Sequence, residues 1–239
     1  TDFLRVLSGV VMANPPTFER KERSPRQLEI NSRVADIVKR TQPSATSKKI
    51  VAIASSTGGP RALQTVIASL PANLAAPVLI VQHMPKGFTL SLAERLNLAS
   101  PLEVKEAREG EEIHNGTVYL AMGGQHMTVA TQIHKRSTIH YTDEPYREGV
   151  RPCANYMYES LAQSGFEEVV CVVMTGMGAD GTVGIEHLKT KKKVWVIAQN
   201  QESCVVYGMP KQIVDRHLSD QVVSLEQIAQ EIILNVGVI

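Results

Sequence analysis

Short apolar runs alternate along this chain with longer segments whose apolar residues recur at helical spacing. Residues 50–54 form an unbroken apolar run, as expected of a strand buried on both faces of a parallel sheet. Runs of the same kind at 77–83, 169–174 and 194–198 predict further strands of that sheet. Leu63, Val66 and Ile67 predict a helix whose first turn holds Pro60, and Phe88, Leu92 and Leu96 predict one over 87–97. Helices are also expected over 155–164, 181–189, 205–214 and 225–234. The alternation breaks over 102–142. Four short strand patterns there (102–105, 117–120, 126–129 and 138–141) lie between turn signals such as Asn115-Gly116, which predicts hairpins at one edge of the sheet. The whole pattern predicts an α/β fold: a doubly wound, Rossmann-like, mostly parallel sheet with an antiparallel hairpin excursion.

The first 47 residues follow a different pattern. Phe3, Leu4, Val6, Leu7, Val10 and Val11 suit a short amphipathic helix ended by Asn14-Pro15-Pro16. A charged stretch over 19–26 follows, then a second helical pattern with Leu28, Ile30, Val34, Ile37 and Val38. Residues 41–47 read as a linker rich in Ser, Thr and Pro. The expected organisation is an arm and linker over 1–47 and one domain over 48–239.

Composition narrows the function classes. The 239 residues carry a formal net charge of +1, which gives no case for nucleic acid or a membrane surface. The three cysteines are scattered without metal-ligand spacing, which suits a reducing cytosol, and Cys171 lies within an apolar run as a core residue would. No apolar run approaches the roughly 20 residues a membrane helix needs. A cytoplasmic location is expected.

The candidate chemistry sits just past the buried strands. Ser56 follows the first, His83 the second, and Asp180 comes shortly after 169–174. In a parallel sheet these ends share one edge, so the three can converge. A serine hydroxyl needs a base to attack at neutral pH; an imidazole supplies it, and a carboxylate fixes the tautomer. The glycine-rich loops Thr57-Gly58-Gly59 and 175–181 can aim bare N–H groups at an oxyanion. The order Ser, His, Asp matches none of the α/β-hydrolase, chymotrypsin or subtilisin orders. A phosphate cradle at a helix start, in a non-enzymatic nucleotide-binding module, remains the alternative for Ser56 and its glycines. No P-loop Lys-Ser/Thr and no Gly-x-Gly-x-x-Gly accompanies it.

Four segments carry a resemblance. Residues 54–59 (ASSTGG), 82–88 (QHMPKGF), 175–181 (TGMGADG) and 198–210 (AQNQESCVVYGMP) resemble, in order, the catalytic domain of the chemotaxis protein-glutamate methylesterases. The resemblance runs from about Lys48 to the C-terminus. It implies that Ser56 is the nucleophile, His83 the general base and Asp180 its orienting carboxylate. It further implies that the Met177 N–H helps form the oxyanion hole, with Thr57 supporting the histidine. The implied reaction is hydrolysis of glutamate γ-methyl esters on the cytoplasmic helices of methyl-accepting chemoreceptors, with glutamine deamidation as a second activity and without metal or organic cofactor. An amidase or esterase acting on another protein side chain would use the same residues. The family usually carries an N-terminal receiver domain; residues 1–47 are too short for one, so activity independent of small phosphodonors is expected. The chain also has Cys153, Asn155 and Gln125 where the family commonly has Ser, Asp and Arg. Arg147 and Arg151 are candidates to meet acidic receptor side chains, or else take part in surface ion pairs.

Overall fold

The computed structural model describes residues 49–131 and 137–239, so the arm and linker expected over 1–47 lie outside the described residues. Strand β1 (Lys49–Ser55) occupies the middle of a seven-stranded sheet. It pairs in parallel with β2 (Val78–Gln82) on one side and β7 (Glu168–Val173) on the other. Beyond β2 lie β4 (Thr117–Leu120) and then β3 (Glu103–Glu106); beyond β7 lie β8 (Lys193–Gln199) and β9 (Gln221–Val223). Every pairing in this sheet is parallel. A separate antiparallel hairpin joins β5 (His126–Thr131) to β6 (Ser137–Thr142).

Alternate residues of β1 feed two cores, as the period of a strand requires. Ile50, Ala52 and Ala54 pack with α3 (Ala154–Leu161), α4 (Thr182–Lys189), α5 (Met209–Asp215) and the β5–β6 hairpin. Val51 and Ile53 pack on the opposite face with α1 (Gly59–Ala68), α2 (Thr89–Ala99) and α6 (Leu225–Val236). With both faces covered, the apolar runs are continuous, which is why they were legible as strands. Local signals set the helix ends: proline lies in the first turn of α1 and α5, and Ser224 with Gln227 forms a capping box at α6.

The hairpins expected over 102–142 are only half present. β5 and β6 form one, but β3 and β4 pair in parallel as part of the main sheet, β3 as its edge strand. All four residues of β4 are buried, with Val118 and Leu120 in one core and Tyr119 in the other. A strand covered on both faces belongs within a layered sheet, not in a wet edge hairpin. The turn at Asn115-Gly116 docks against the start of β2, where the Gly116 N–H donates to the Ala76 carbonyl at 3.2 Å. The helix expected over 205–214 begins later, at Met209, behind a short 3-10 turn (Gln201–Ser203) and a loop. β9 was not anticipated, because three residues give no readable period.

This topology creates the site. The chain leaves β1 toward β2 and later returns to lay β7 on the other flank, so the carboxyl ends of β1 and β7 border a crevice at a switch point. Among the described residues, no helix is long and apolar enough to cross a membrane.

The helix beneath that crevice is anchored by one hydroxyl. Tyr158 on α3 is fully buried and its Oη donates toward the carbonyls of Ala52 and Val172, each at 3.2 Å. Tyr158→Phe is expected to lower the free energy of unfolding by about 1 kcal/mol with an unchanged denaturant slope, measured by urea titration.

Candidate active site

Two adjacent serines end β1, and the structure separates them. Ser55 is fully buried and its Oγ donates to Gln82 Oε1 at 2.7 Å. Ser56 is partly exposed, and its Oγ makes no hydrogen bond among the described residues. Of the two, Ser56 is the one that reaches the surface with its hydroxyl unengaged among the described residues. The turn that presents it depends on two glycines. Gly58 caps α1 with φ 83°, where a side chain would be strained, and a Cβ there would come within 2.7 Å of Val205 Cβ. A Cβ on Gly176 would lie 2.7 Å from Ser56 Cβ, so only glycine lets the loop after β7 pass so close.

The loop of β2 is strapped to that of β1 by a side chain whose role the sequence did not show, although it opens the quoted segment 82–88. Gln82 is 2% exposed, and its Nε2 donates to the carbonyl of Ser56 at 3.0 Å and to that of His83 at 3.1 Å. The His83 N–H donates in turn to the Ser55 carbonyl at 3.0 Å. One buried amide thus ties the backbones of Ser56 and His83. Gln199 does a similar task at the end of β8, its Oε1 accepting from the Thr175 N–H at 2.8 Å. Thr175 Oγ1 donates to the Thr57 carbonyl at 2.9 Å and accepts from the N–H groups of Val205 and Val206. All three residues fall within segments that carried the resemblance (82–88, 175–181 and 198–210), but nothing in the sequence assigned them this bracing task.

His83 and Asp180 meet directly. His83 Nε2 lies 2.7 Å from Asp180 Oδ2, and the two side chains are 9% and 2% exposed. The carboxylate also faces the first turn of α3: Oδ2 accepts from the Ala154 N–H at 2.6 Å, and Oδ1 from the Asn155 N–H at 2.9 Å and from Cys153 Sγ at 3.0 Å. Burial pushes the Asp180 carboxyl up, but His83, the thiol and the Ala154 N–H outweigh it and hold the group below its ordinary value. An ionised Asp180 accepts from Nε2–H, which leaves the lone pair of His83 on Nδ1. Nδ1 makes no hydrogen bond among the described residues, so it is the nitrogen left to act as base. Asn155 completes the corner, its Oδ1 accepting from the N–H groups of Gly181 and Gly184 at the start of α4.

The remaining expected residues divide. The Met177 N–H follows Gly176, the residue in contact with Ser56, and donates to no acceptor among the described residues. Thr57 is exposed and its side chain forms no hydrogen bond with His83 among the described residues. Ser56 Oγ and His83 likewise share no hydrogen bond in this structure. Arg147 is engaged with Glu159 at 2.8 Å and lies over the Tyr156 ring. Arg151 stacks on Tyr146, 4.7 Å from its ring centre, and forms no ion pair among the described residues. No cluster of side chains suited to a metal ion occurs among the described residues.

Residues 51–232 match the family model described as CheB methylesterase. The chain belongs to the CheB methylesterase family. It is 45% identical over 209 residues to a protein-glutamate methylesterase/protein-glutamine glutaminase of Halalkalibacterium halodurans, covering 87% of this chain and 60% of that protein. A protein of the same name from Bacillus subtilis is 47% identical over 188 residues, covering 78% of this chain and 52% of its own length. The chain therefore spans little more than half the length of these relatives. The crystal structure of the Thermotoga maritima CheB methylesterase catalytic domain superposes with a TM-score of 0.75 at 41% identity, covering 79% of this chain and 98% of that one.

Within this CheB-type domain, Asp180 links acid to stability. Its folded-state carboxyl is depressed, so its contribution is complete above the unfolded-chain value of about 3.9 and is lost as pH falls through the lower folded value. Asp180→Asn is expected to flatten the fall in stability below about pH 4, read from urea midpoints at a series of pH values.

Proposed function

We propose that this chain hydrolyses the γ-methyl esters of glutamate side chains on the cytoplasmic helices of methyl-accepting chemoreceptors, with Ser56, His83 and Asp180 as a catalytic triad. The observation that carries the reading is the buried 2.7 Å pair of His83 and Asp180 at the sheet edge where Ser56 leaves β1. Family membership and the printed names of the longer relatives support the substrate. Residues 48–239 are the catalytic unit, acting in the cytoplasm, where the receptor helices lie.

In the proposed reaction, His83 Nδ1 takes the proton of Ser56 as Oγ attacks the ester carbonyl. The charge that develops on the carbonyl oxygen is met by the Met177 N–H, on the loop that Gly176 holds against Ser56. Methanol leaves with the proton from Nδ1, and Ser56 keeps the glutamyl group as an ester. Water then attacks, giving one proton to Nδ1, and Ser56 departs with that proton; the γ-carboxylic acid left behind ionises, releasing water's other proton to solvent. Asp180 stays ionised throughout and stabilises the imidazolium through Nε2–H. A glutamine substrate follows the same course with ammonia as the leaving group. Arg151, stacked on Tyr146 and free of an acidic partner among the described residues, is the better placed arginine for a receptor carboxylate; Arg147 is already paired with Glu159. A nucleotide-binding module is less well supported, since nothing in that reading calls for a buried histidine–carboxylate pair.

Methanol release from methylated receptor tests this reading. Ser56→Ala is expected to keep the fold and lower the rate by roughly four orders of magnitude or more, while Ser55→Ala does far less. Loss of activity in Ser55→Ala with activity kept in Ser56→Ala would move the nucleophile by one residue. His83→Gln should cost about as much as Ser56→Ala, and the double variant should be no worse than either, because a nucleophile and its base act as one unit. Multiplying losses in the double variant would show two independent groups. Equal hydrolysis of unrelated protein methyl esters would favour the broader esterase.

A further inference from the structure

Asp180 presents two oxygens, and only one of them serves His83. The torsion that would swing Oδ2 away from His83 Nε2 is the one about the Cβ–Cγ bond, a broad and soft rotation in aspartate. Three donors from the start of α3 stop it: the N–H groups of Ala154 and Asn155, and Cys153 Sγ at 3.0 Å from Oδ1. Two of the three are backbone. Cys153 is the donor whose presence depends on the choice of side chain.

We propose that the Cys153 thiol is a positioning residue of the esterase reaction, aiming Asp180 at His83 through its hydrogen bond to Oδ1. The proposal rests on the triad reading above. Cys153 is fully buried, so it meets no substrate and acts only through Asp180. Burial and the neighbouring Asp180 charge push its thiol far up, which keeps the proton on sulfur and makes the group a donor, not a second nucleophile. The residue is itself held in place. Its N–H donates to His126 Nδ1 at 3.1 Å, and His126 is fully buried, with Nε2 3.2 Å from the Pro145 carbonyl and its ring 4.4 Å from that of Tyr156. A neutral imidazole protonated at Nε2 satisfies both contacts. Burial, the largest influence on His126, lowers its basicity and favours that neutral form. A line of hydrogen bonds thus runs from Pro145 through His126, Cys153 and Asp180 to His83.

The test compares wild type, Cys153→Ala, Cys153→Ser and Ser56→Ala in the full chain, using methanol release from methylated receptor and the proton NMR signal of the hydrogen shared by His83 Nε2 and Asp180. Cys153→Ala is expected to lower kcat about tenfold with KM unchanged and to move the shared-proton signal. Cys153→Ser, which restores a donor, should recover most of kcat. Wild-type kcat in Cys153→Ala, or equal impairment of the alanine and serine variants, would overturn the proposal. Should the alanine variant not fold, the serine variant decides alone: replacing S–H by O–H on Oδ1 must shift the shared-proton signal, and an unmoved signal overturns the assignment. Activity retained by Ser56→Ala would instead sink the triad reading itself, so the two failures are distinguishable.

Discussion

A carboxylate with 2% of its side chain exposed has to be met by donors on every side, or it will not remain charged. Removing such a charge from water costs several kcal/mol, and Asp180 recovers this through His83, two backbone N–H groups and a thiol. Much of the local architecture follows from that requirement. The first turn of α3 is aimed at the carboxylate, which brings the positive end of the helix dipole to a negative group. Asn155, also in that turn, reaches across to the start of α4 and fixes the loop on which Asp180 rides. His126 accepts the Cys153 N–H and so holds the corner from behind. The same contacts that let Asp180 be buried also point it at His83.

Parallel pairing supplies the rest of the convergence. β1 and β2 run in register to Ser55 opposite Gln82, and β1 and β7 to Ala54 opposite Val173. The loops that follow therefore emerge side by side. Backbone bonds then close the gaps, from Ser56 N–H to the Thr175 carbonyl and from His83 N–H to the Ser55 carbonyl. Gln82 adds a side-chain link that no strand pairing provides. Because its amide serves both loops at once, displacement of either the serine or the histidine backbone breaks a buried hydrogen bond. Rigid strands with short glycine turns suit a group that must stay ready for attack without substrate to order it.

The exposed side of the crevice differs in character from its floor. Met177 and Val205 stand 73% and 68% exposed on the loops around Ser56, while the residues beneath them are buried. Ser56, partly exposed at the sheet edge, is accessible to a side chain carried on another folded protein, which a deep pocket would exclude. The two arginines near α3 show how little charge alone reveals. Arg147 and Arg151 are four positions apart in sequence, yet one is neutralised by Glu159 and the other lies on an aromatic ring without an acidic partner among the described residues.

The sequence by itself determined the layered parallel sheet, the order of its main strands and helices, and the three polar residues at strand ends. It could do so because strands covered on both faces need continuous apolar runs, and because glycines at 58 and 59 permit the tight turn while Pro60 fixes φ for the helix that follows. It named Ser56 and not Ser55 as the candidate; the structure adds that Ser55 is buried against Gln82 while Ser56 is partly exposed. Tertiary structure alone decided that β3 and β4 pair in parallel, with β3 at the edge of the sheet, since a four-residue strand has the same pattern in either direction. It alone revealed Gln82, Cys153, Asn155 and His126 as supports of the site. Hydrogen bonds between side chains and distant backbone leave no periodicity in the sequence. Their partners are set by how strands and helix ends pack, and packing is a property of the whole fold.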